Sequence, residues 1–328
     1  MTVCIEGMVS IVVASYNYER FLKNRIDGLL AQSYTDIEII VIDDMSTDNS
    51  VSVLNNFESN PKVRVIANTS NTGWVAVSNQ GLAESSGEFV MFANCDDIAD
   101  VDLVKRLVEP LFLQNSIGVS FCRSSMIDEN GFRTGTDFSF RSRSFRRYCR
   151  ESGMIPKQLF QGMLLHSCVI PNLSGALFRR ELLEEIGGFS RRYEICSDWH
   201  LYFELSKRTD VFYTSTELNG FRQHNGTIRS SAKSRLMLTE TCELMMNWAA
   251  DGKYSSRIKT FQRICDLILI ETLDPRRFRF RDLIYFTKLA SDQNKVIFLM
   301  IPFSLLRIGS TLAKVIFCHF SARQFKPI

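Results

Sequence analysis

Short, continuous apolar runs alternate with segments of helical periodicity through the first hundred residues. The apolar runs are residues 8–15, 37–42, 63–66 and 89–93, and the helical segments are residues 19–32, 48–58 and 74–84. Strands that lack a polar face are typical of parallel sheets, because helices cover both faces of such sheets. This alternation therefore predicts an α/β fold with a doubly wound, mostly parallel sheet and right-handed crossovers.

The pattern changes at about residue 231, after which only helical periodicity is seen. We therefore predict an α/β domain of residues 1–231 followed by a helical C-terminal region of residues 232–328. In the first part we also expect helices at residues 103–112 and 198–205, the second of them capped by Ser197. Short strands are expected at residues 119–122 and 211–213. Residues 141–150 are rich in arginine, and we expect a loop or a mobile element there.

Charge and cysteine content exclude several classes of function. A formal net charge of only +3 argues against nucleic acid as a partner. The nine cysteines include no Cys-x-x-Cys pair, which argues against a disulfide framework and a zinc cluster. The N-terminus shows no secretory signal, and we expect a cytoplasmic protein.

Polar residues follow three of the predicted strands. They are Ser15, Tyr16 and Asn17 after the first strand, Asp43 and Asp44 after the second, and Asn94, Asp96 and Asp97 after the fourth. Ligands of doubly wound sheets bind outside the carboxyl ends of the strands. Such residues also favour turns and helix caps, and Asp48 or Ser46 suits that role. Three neighbouring strands that each end in polar residues indicate a shared crevice at that edge of the sheet.

These motifs, in this order and spacing, resemble the family 2 glycosyltransferases, which have the GT-A nucleotide-sugar fold. The resemblance covers residues 8–230 and rests on segments 9–17, 39–48, 71–79, 87–97, 187–189 and 197–199. Three positions depart from the family pattern. Asn94 replaces the first carboxylate of the Asp-x-Asp metal motif, Ser197 replaces a frequent glutamate, and Ser78 stands where arginine is common.

The resemblance implies a nucleotide site and a divalent metal site in the crevice. The nucleotide would be bound by Ser15, Tyr16, Asn17, Asp43, Gly73, Asn94 and Asp96, with Asp43 accepting the N3–H of uracil or thymine. Mn²⁺ or Mg²⁺ prefers oxygen ligands and would be held by Asp96, Asp97 and His224. Asp97 is favoured as the direct ligand and Asp96 for ribose or metal, while Arg222 and Arg229 would neutralise phosphate.

Asp198 is the candidate catalytic base. A carboxylate in the first turn of a helix is stabilised as an anion and can accept a proton from an attacking hydroxyl. The neighbouring Trp199 would pack beneath an acceptor sugar. The alternatives are an ordinary helix-start aspartate and a core tryptophan.

The function implied is inverting transfer of a sugar from a nucleotide diphosphate, with UDP favoured, to a hydroxyl of a saccharide or lipid-linked acceptor in bacterial surface polysaccharide synthesis. A nucleotidyltransferase is disfavoured, because residues 15–20 contain no glycine. A degenerate family member that binds nucleotide or glycan without turnover is the alternative.

The C-terminal region contains an apolar segment, residues 296–306, interrupted by Pro302 and flanked by cations. It is too short to span a bilayer. We expect either peripheral contact with the inner face of the plasma membrane, or packing on the catalytic domain or on a second copy in a homo-oligomer.

Overall fold

The computed structural model describes residues 4–165, 167–224 and 234–251. The chain divides into two compact units, Met1–Ser230 and Ser231–Ile328. In the second unit the description is limited to one helix, α9 (Ser234–Asp251). Residues 296–306 lie outside the described residues, so their role stays a prediction. Within the described residues, no helix combines the length and apolar character needed to cross a bilayer.

Strands and helices alternate in the first half of the chain. They are β1 (Ile5–Ser15), α1 (Glu19–Leu30), β2 (Ile37–Asp43), α2 (Ser50–Asn55), β3 (Val63–Ala67), α3 (Trp74–Glu84), β4 (Gly87–Asn94), β5 (Ile98–Ala99) and α4 (Leu103–Leu113). The predicted strands and helices up to residue 113 are all present, with ends that differ by a few residues.

The second half of the first unit is less regular. It contains β6 (Ile117–Ile127), β7 (Arg133–Thr136), a 3₁₀ turn (Asp137–Phe140), α5 (Arg143–Tyr148), β8 (Gly153–Ile155), α6 (Lys157–Leu164), a second 3₁₀ turn (Leu173–Gly175), β9 (Ala176–Arg179), α7 (Arg180–Ile186), α8 (Ser197–Ser206) and β10 (Asp210–Arg222).

The described strands form a single sheet in the order β3-β2-β1-β4-β9-β6-β10-β5, with β7 paired to β6 and β8 paired to β10. Strands β3, β2, β1 and β4 are parallel to one another, and β6 is parallel to β10. The α/β fold with a mostly parallel central sheet is therefore confirmed. One feature was not foreseen: β9 is antiparallel to both of its neighbours.

The apolar run in β2 illustrates why this sheet forms. Ile39, Ile40, Val41 and Ile42 are all fully buried, although successive side chains point to opposite faces. Helices therefore cover both faces, as the continuous run predicted.

Strands β6 and β10 are longer than predicted, because polar residues continue them. Inside the sheet, Asn219 of β10 donates from Nδ2 to Oγ of Ser124 on β6 over 3.2 Å, so the buried amide nitrogen and hydroxyl are partners.

The prediction of a loop for residues 141–150 is wrong. Residues 143–148 form α5, whose N-cap Ser142 accepts a hydrogen bond from the backbone N–H of Phe145. Phe145 is buried, and Arg141 makes a buried ion pair with Asp137 at 2.7 Å. One apolar anchor and one capping serine are enough to order this turn, which the arginine content obscured.

The predicted N-cap of α8 is also wrong. Ser197 is the first helical residue, and Cys196 occupies the cap position. The Ser197 hydroxyl donates to the carbonyl of Ser190 at 2.8 Å, so it closes the preceding loop instead of capping the helix.

Helix α3 packs closely on β1 through a glycine. A Cβ atom added at Gly81 would lie 2.1 Å from Cγ1 of the buried Val12. Gly28, in helix α1, has no atom within 4 Å of the same added group.

Gly81→Ala is expected to destabilise the protein by about 1–3 kcal/mol, because the added methyl group overpacks the contact between helix and strand. Gly28→Ala is the matched control and should stabilise by about 0.5–1 kcal/mol through helix propensity. Urea denaturation of both variants and the wild type measures the effect. Equal stability of the two variants would contradict the packing described.

Candidate functional site

The polar residues that follow β1, β2 and β4, called the strand exits below, lie side by side. In the parallel register, Ser15 of β1 is paired with Asp43 of β2, and Ala14 is paired with Asn94 of β4. The carboxyl ends of β1, β2 and β4 therefore meet at one edge of the sheet, as the sequence predicted. Their functional roles stay predictions.

The exit of β1 is joined to the loop that follows β2. Asn17, with a φ of 59°, accepts a hydrogen bond at Oδ1 from the backbone N–H of Thr47 at 2.7 Å. Its own N–H donates to Oγ of Ser46 at 2.9 Å. Tyr16 is exposed whereas Ser15 is buried. Tyr16 therefore offers a ring to a ligand at this edge, while Asn17 fixes the loop around it.

Ser46 also orients Asp43. The two Asp43 carboxylate oxygens accept from the backbone N–H and the hydroxyl of Ser46 at 2.9 and 2.6 Å. Each oxygen has a second lone pair that can accept from a ligand. Ser46 is therefore a positioning residue and not a helix cap. Asp48 does not occupy a cap position, since Asn49 is the N-cap of α2, but its carboxylate accepts from the backbone N–H groups of Glu19 and Ser50, the first residues of α1 and α2.

Sequence reasoning missed the role of Asp44. Its carboxylate accepts four hydrogen bonds, from Nδ2 of Asn68, from the backbone N–H and hydroxyl of Thr72 and from the backbone N–H of Gly73, at 2.8–3.0 Å. Burial raises the pKa of Asp44, but these hydrogen bonds outweigh it and lower the pKa below its ordinary value. Gly73, with a φ of 85°, is thereby fixed at the start of α3.

Asp44→Asn is expected to lose about 1–3 kcal/mol of stability at pH 7, because an amide cannot accept from all of these donors. A lowered folded pKa gives stability that is present above the unfolded pKa of about 3.9 and is lost as pH falls through the folded value. The stability difference between variant and wild type should therefore shrink between pH 7 and pH 3.

Thermal unfolding at several pH values measures this difference, with the exposed Asp36→Asn as the control. A difference independent of pH would contradict the assignment to the Asp44 carboxylate.

Asp97, the predicted direct metal ligand, is almost fully enclosed. Its Oδ1 accepts from the backbone N–H of Arg222 at 3.0 Å, and its Oδ2 accepts from Nδ2 of Asn172 at 2.7 Å and Nδ2 of Asn94 at 3.3 Å. Burial, together with the charge of Asp96, raises the pKa of Asp97. The geometry therefore suits Asp97 to anchoring the exit of β4.

Asn94 has a structural reason to be an amide. Its Nδ2 donates towards both Asp97 and the Oδ1 of Asn172, the latter at 3.2 Å. A carboxylate at this position would face the buried Asp97 carboxylate with like charge. Asn94 is nevertheless exposed at the end of β4.

Asp96 and His224 form a pair at the edge of the cleft. Nε2 of His224 lies 2.9 Å from Oδ2 of Asp96, and their side chains are 13% and 11% exposed. The imidazole packs near the ring of Phe21, with centroids 5.8 Å apart. The structure thus brings together two of the predicted metal ligands from positions 128 residues apart.

Arg25 places a buried cation under this pair. Its guanidinium is fully buried in α1, and Nη1 approaches the carbonyl oxygen of Asp97 at 3.4 Å. Burial lowers the pKa of Arg25, and the charges of Asp97 and Asp96 oppose that shift. No sequence motif pointed to this residue, because an arginine in an amphipathic helix is normally read as exposed.

Arg222 was expected to neutralise phosphate, and that role stays a prediction. Its Nε donates to the carbonyl of Asp96 at 2.6 Å, and its Nη1 donates to the carbonyls of Asp128 and Glu129 at 2.9 Å. The buried guanidinium is thus committed to backbone oxygens. Arg229 lies outside the described residues.

The donor set fits a divalent cation only in part. Among the described residues, no three His, Cys, Asp or Glu side chains converge as a metal site. Asp96 and His224 supply one carboxylate oxygen and one imidazole nitrogen. Such a pair suits a cation that takes its other ligands from water and phosphate oxygens.

Asp198 is held at the same edge through the loop before α8. Nε1 of Trp74, at the start of α3, donates to the carbonyl of Glu194 at 2.6 Å. The Asn79 side chain makes two hydrogen bonds with the backbone of Phe189, each at 2.8 Å. Its Nδ2 donates to the carbonyl of Phe189, and its Oδ1 accepts from the backbone N–H of Phe189. Because α3 begins where β3 ends, these bonds bring the start of α8 to the carboxyl edge of the sheet.

The first turn of α8 carries Asp198 and Trp199. Asp198 is half-buried, and its Oδ1 accepts from the backbone N–H of Trp199 at 2.7 Å. The indole stacks on Phe203 with centroids 6.1 Å apart, and its buried Nε1 has no partner among the described residues. Both predicted roles stay predictions.

Comparison with known proteins agrees with this geometry. The Glycosyl transferase family 2 model matches residues 10–187. A Nostoc glycosyltransferase is 29% identical over 182 residues, which cover 54% of this chain and 52% of that protein. The chain spans about half the length of this relative, and 50% of a Haemophilus influenzae glycosyltransferase that it also matches.

Two solved structures share the architecture. S. aureus TarS 1–349 in complex with UDP-GlcNAc has a TM-score of 0.66 at 17% identity, covering 90% of this chain and 84% of that one. A Pyrobaculum calidifontis mannosyltransferase in complex with GDP-Man and Mn²⁺ has a TM-score of 0.55 at 15% identity, covering 94% and 86%. These similarities show the GT-A fold.

Proposed function

The chain belongs to glycosyl transferase family 2, and we propose that it transfers a sugar from a nucleotide diphosphate, with UDP favoured, to an acceptor hydroxyl with inversion at the anomeric carbon. The observation that carries the proposal is the pairing of Asp96 with His224 beside the oriented Asp43 carboxylate at one sheet edge. TarS binds UDP-GlcNAc and the mannosyltransferase binds GDP-Man with Mn²⁺, which supports a nucleotide-sugar donor.

The nucleotide lies against the exits of β1 and β2 in this proposal. Asp43, oriented by Ser46, accepts the N3–H of uracil, and Tyr16 lies against the base. Ser15, Asn17 and Gly73 shape the crevice, and Asn94 and Asp96 face the ribose. A base held by a preoriented carboxylate loses little orientational freedom on binding.

A bound Mn²⁺ or Mg²⁺ would supply positive charge to the departing diphosphate. We propose Asp96 and His224 as its protein ligands. We assign Asp97, which the sequence favoured, to anchoring the strand exit, because its Oδ2 already accepts from both Asn172 and Asn94 and its Oδ1 accepts from the backbone N–H of Arg222. Arg25 limits the net negative charge that two adjacent carboxylates create beneath the site.

Asp198 acts as the base. The acceptor oxygen forms a bond to the anomeric carbon as the bond from that carbon to the diphosphate oxygen breaks, and the hydroxyl proton passes to Asp198. The first turn of α8 stabilises the carboxylate as an anion beforehand. Attack opposite the leaving group inverts the anomeric carbon, and Trp199 supports the acceptor sugar.

The acceptor is a saccharide or lipid-linked saccharide of bacterial surface polysaccharide synthesis. We place the enzyme in the cytoplasm, with peripheral contact to the inner membrane face or a homo-oligomer contact through residues 232–328. These assignments are part of the proposal.

Asp198→Ala is expected to lower hydrolysis of the UDP-sugar in Mn²⁺ by at least about 100-fold while nucleotide binding persists, because water then lacks its base. Asp96→Ala should weaken Mn²⁺-dependent nucleotide binding by at least about tenfold. UDP release and calorimetry measure the two effects. Asp27→Ala, which removes an exposed carboxylate of α1, is the control.

Wild-type hydrolysis in Asp198→Ala together with wild-type nucleotide binding in Asp96→Ala would contradict the proposed mechanism. Metal-dependent nucleotide binding without turnover on any acceptor tested would favour the alternative, a degenerate family member that only binds. The amide at Asn94 is the observation that keeps this alternative open.

Uridine nucleotide-sugars are expected to raise the melting temperature more than guanosine ones in the presence of Mn²⁺, because Asp43 suits a pyrimidine with an N3–H. A ligand that binds only the folded state stabilises it in proportion to ln(1 + [L]/Kd). A thermal-shift screen with the same protein measures the order. A clear guanosine preference would overturn the role given to Asp43.

A further inference from the structure

A large cavity lies between α5 and α6, in the part of the domain inserted between β6 and β9. Its volume is about 1050 Å³. It is lined by Phe138, Arg143, Ser144, Arg146, Arg147, Tyr148, Arg150, Leu159 and Met163. None of these residues belongs to the site described above.

The rim of this cavity is strongly cationic. Arg143, Arg146, Arg147 and Arg150 are all exposed, and within the described ranges none of the four makes an ion pair. Arg141 differs, since it is buried against Asp137. Four unpaired guanidinium groups within eight residues repel one another unless an anion binds among them.

The floor of the cavity is apolar. Phe138 and Leu159 are half-buried, and Met163 is buried beneath them. Tyr148 exposes 51% of its surface at the mouth. A smaller cavity of about 450 Å³ adjoins and shares Arg147, Tyr148 and Arg150.

The cavity is connected to the candidate catalytic helix. Leu159 and Met163 are on α6, and α6 packs against α8, whose first turn carries Asp198. The floor of the cavity therefore belongs to a helix that contacts α8.

We propose that this cavity binds the phosphate-bearing lipid end of the acceptor, with the arginines on the phosphate and the apolar floor on the adjoining hydrocarbon chain. Guanidinium groups bind phosphate oxygens through paired, charge-assisted hydrogen bonds. The apolar floor favours an anionic lipid over a hydrophilic polyanion, because removing hydrocarbon from water is favourable. The inference rests on the proposed glycosyl transfer and deepens it by naming the class of acceptor.

The test uses the full chain and farnesyl monophosphate below its micelle concentration, titrated by calorimetry. Farnesol lacks the phosphate and inorganic phosphate lacks the chain, so each should bind at least about tenfold more weakly. Arg146→Gln/Arg147→Gln and, separately, Leu159→Gln should each weaken farnesyl monophosphate binding by about tenfold or more. The control is Lys105→Gln/Arg106→Gln on α4, which removes the same two charges elsewhere and should change binding less than twofold.

Equal weakening by the control pair would overturn the proposal, because attraction would then depend on overall charge alone. Inorganic phosphate binding as tightly as farnesyl monophosphate would also overturn it, since a free phosphopolymer would then suffice. No binding to the wild type would do the same. Hydrolysis of the UDP-sugar without acceptor should be unchanged in Arg146→Gln/Arg147→Gln, so failure of the donor reaction and failure of lipid binding are separate results.

Discussion

Asp97 joins strand ends that are far apart in sequence. Its Oδ1 accepts from the backbone N–H of Arg222 at the end of β10, and the Arg222 guanidinium returns to the carbonyl of Asp96. Two bonds across more than 120 residues thus fix the exit of β4 against the exit of β10. The Asp96 carboxylate and the His224 imidazole meet because their backbones are tied together directly beneath them.

This arrangement buries charge, and the surrounding residues reduce the cost. Burying a carboxylate is unfavourable unless hydrogen bonds or a counter-charge compensate. Asn94 and Asn172 supply neutral donors to Asp97, and Arg25 supplies a cation close by. The amide at Asn94 therefore also reduces the cost of burying the Asp97 carboxylate. A second carboxylate at position 94 would add a further negative charge to be compensated beside Asp97.

Periodicity was sufficient to predict the parallel half of the sheet, and the bounds of α3 match the prediction. Burial on both faces leaves a continuous apolar run, which is a local signal. The antiparallel β9 has only four residues, between the second 3₁₀ turn and α7, so it does not stand out in the sequence as a separate apolar run. The Asp43-Asp44 and Asp96-Asp97 pairs show a second limit. Adjacent carboxylates look equivalent in sequence, yet Asp44 and Asp97 accept from backbone N–H groups of distant residues, whereas Asp43 is bonded to the nearby Ser46 and Asp96 to His224.

The two-way pairing of Asn79 with Phe189 has a consequence for motion. A carboxamide that both donates to and accepts from one residue acts like a single rung of a β-ladder. Neither bond can lengthen far without disturbing the other, so we expect the two bonds to break together when this loop opens. Gly188, with a φ of 73° and no room for a Cβ beside Asn79, sets the backbone that makes this latch possible. The amide proton of Phe189 is consequently a natural reporter of when that loop opens.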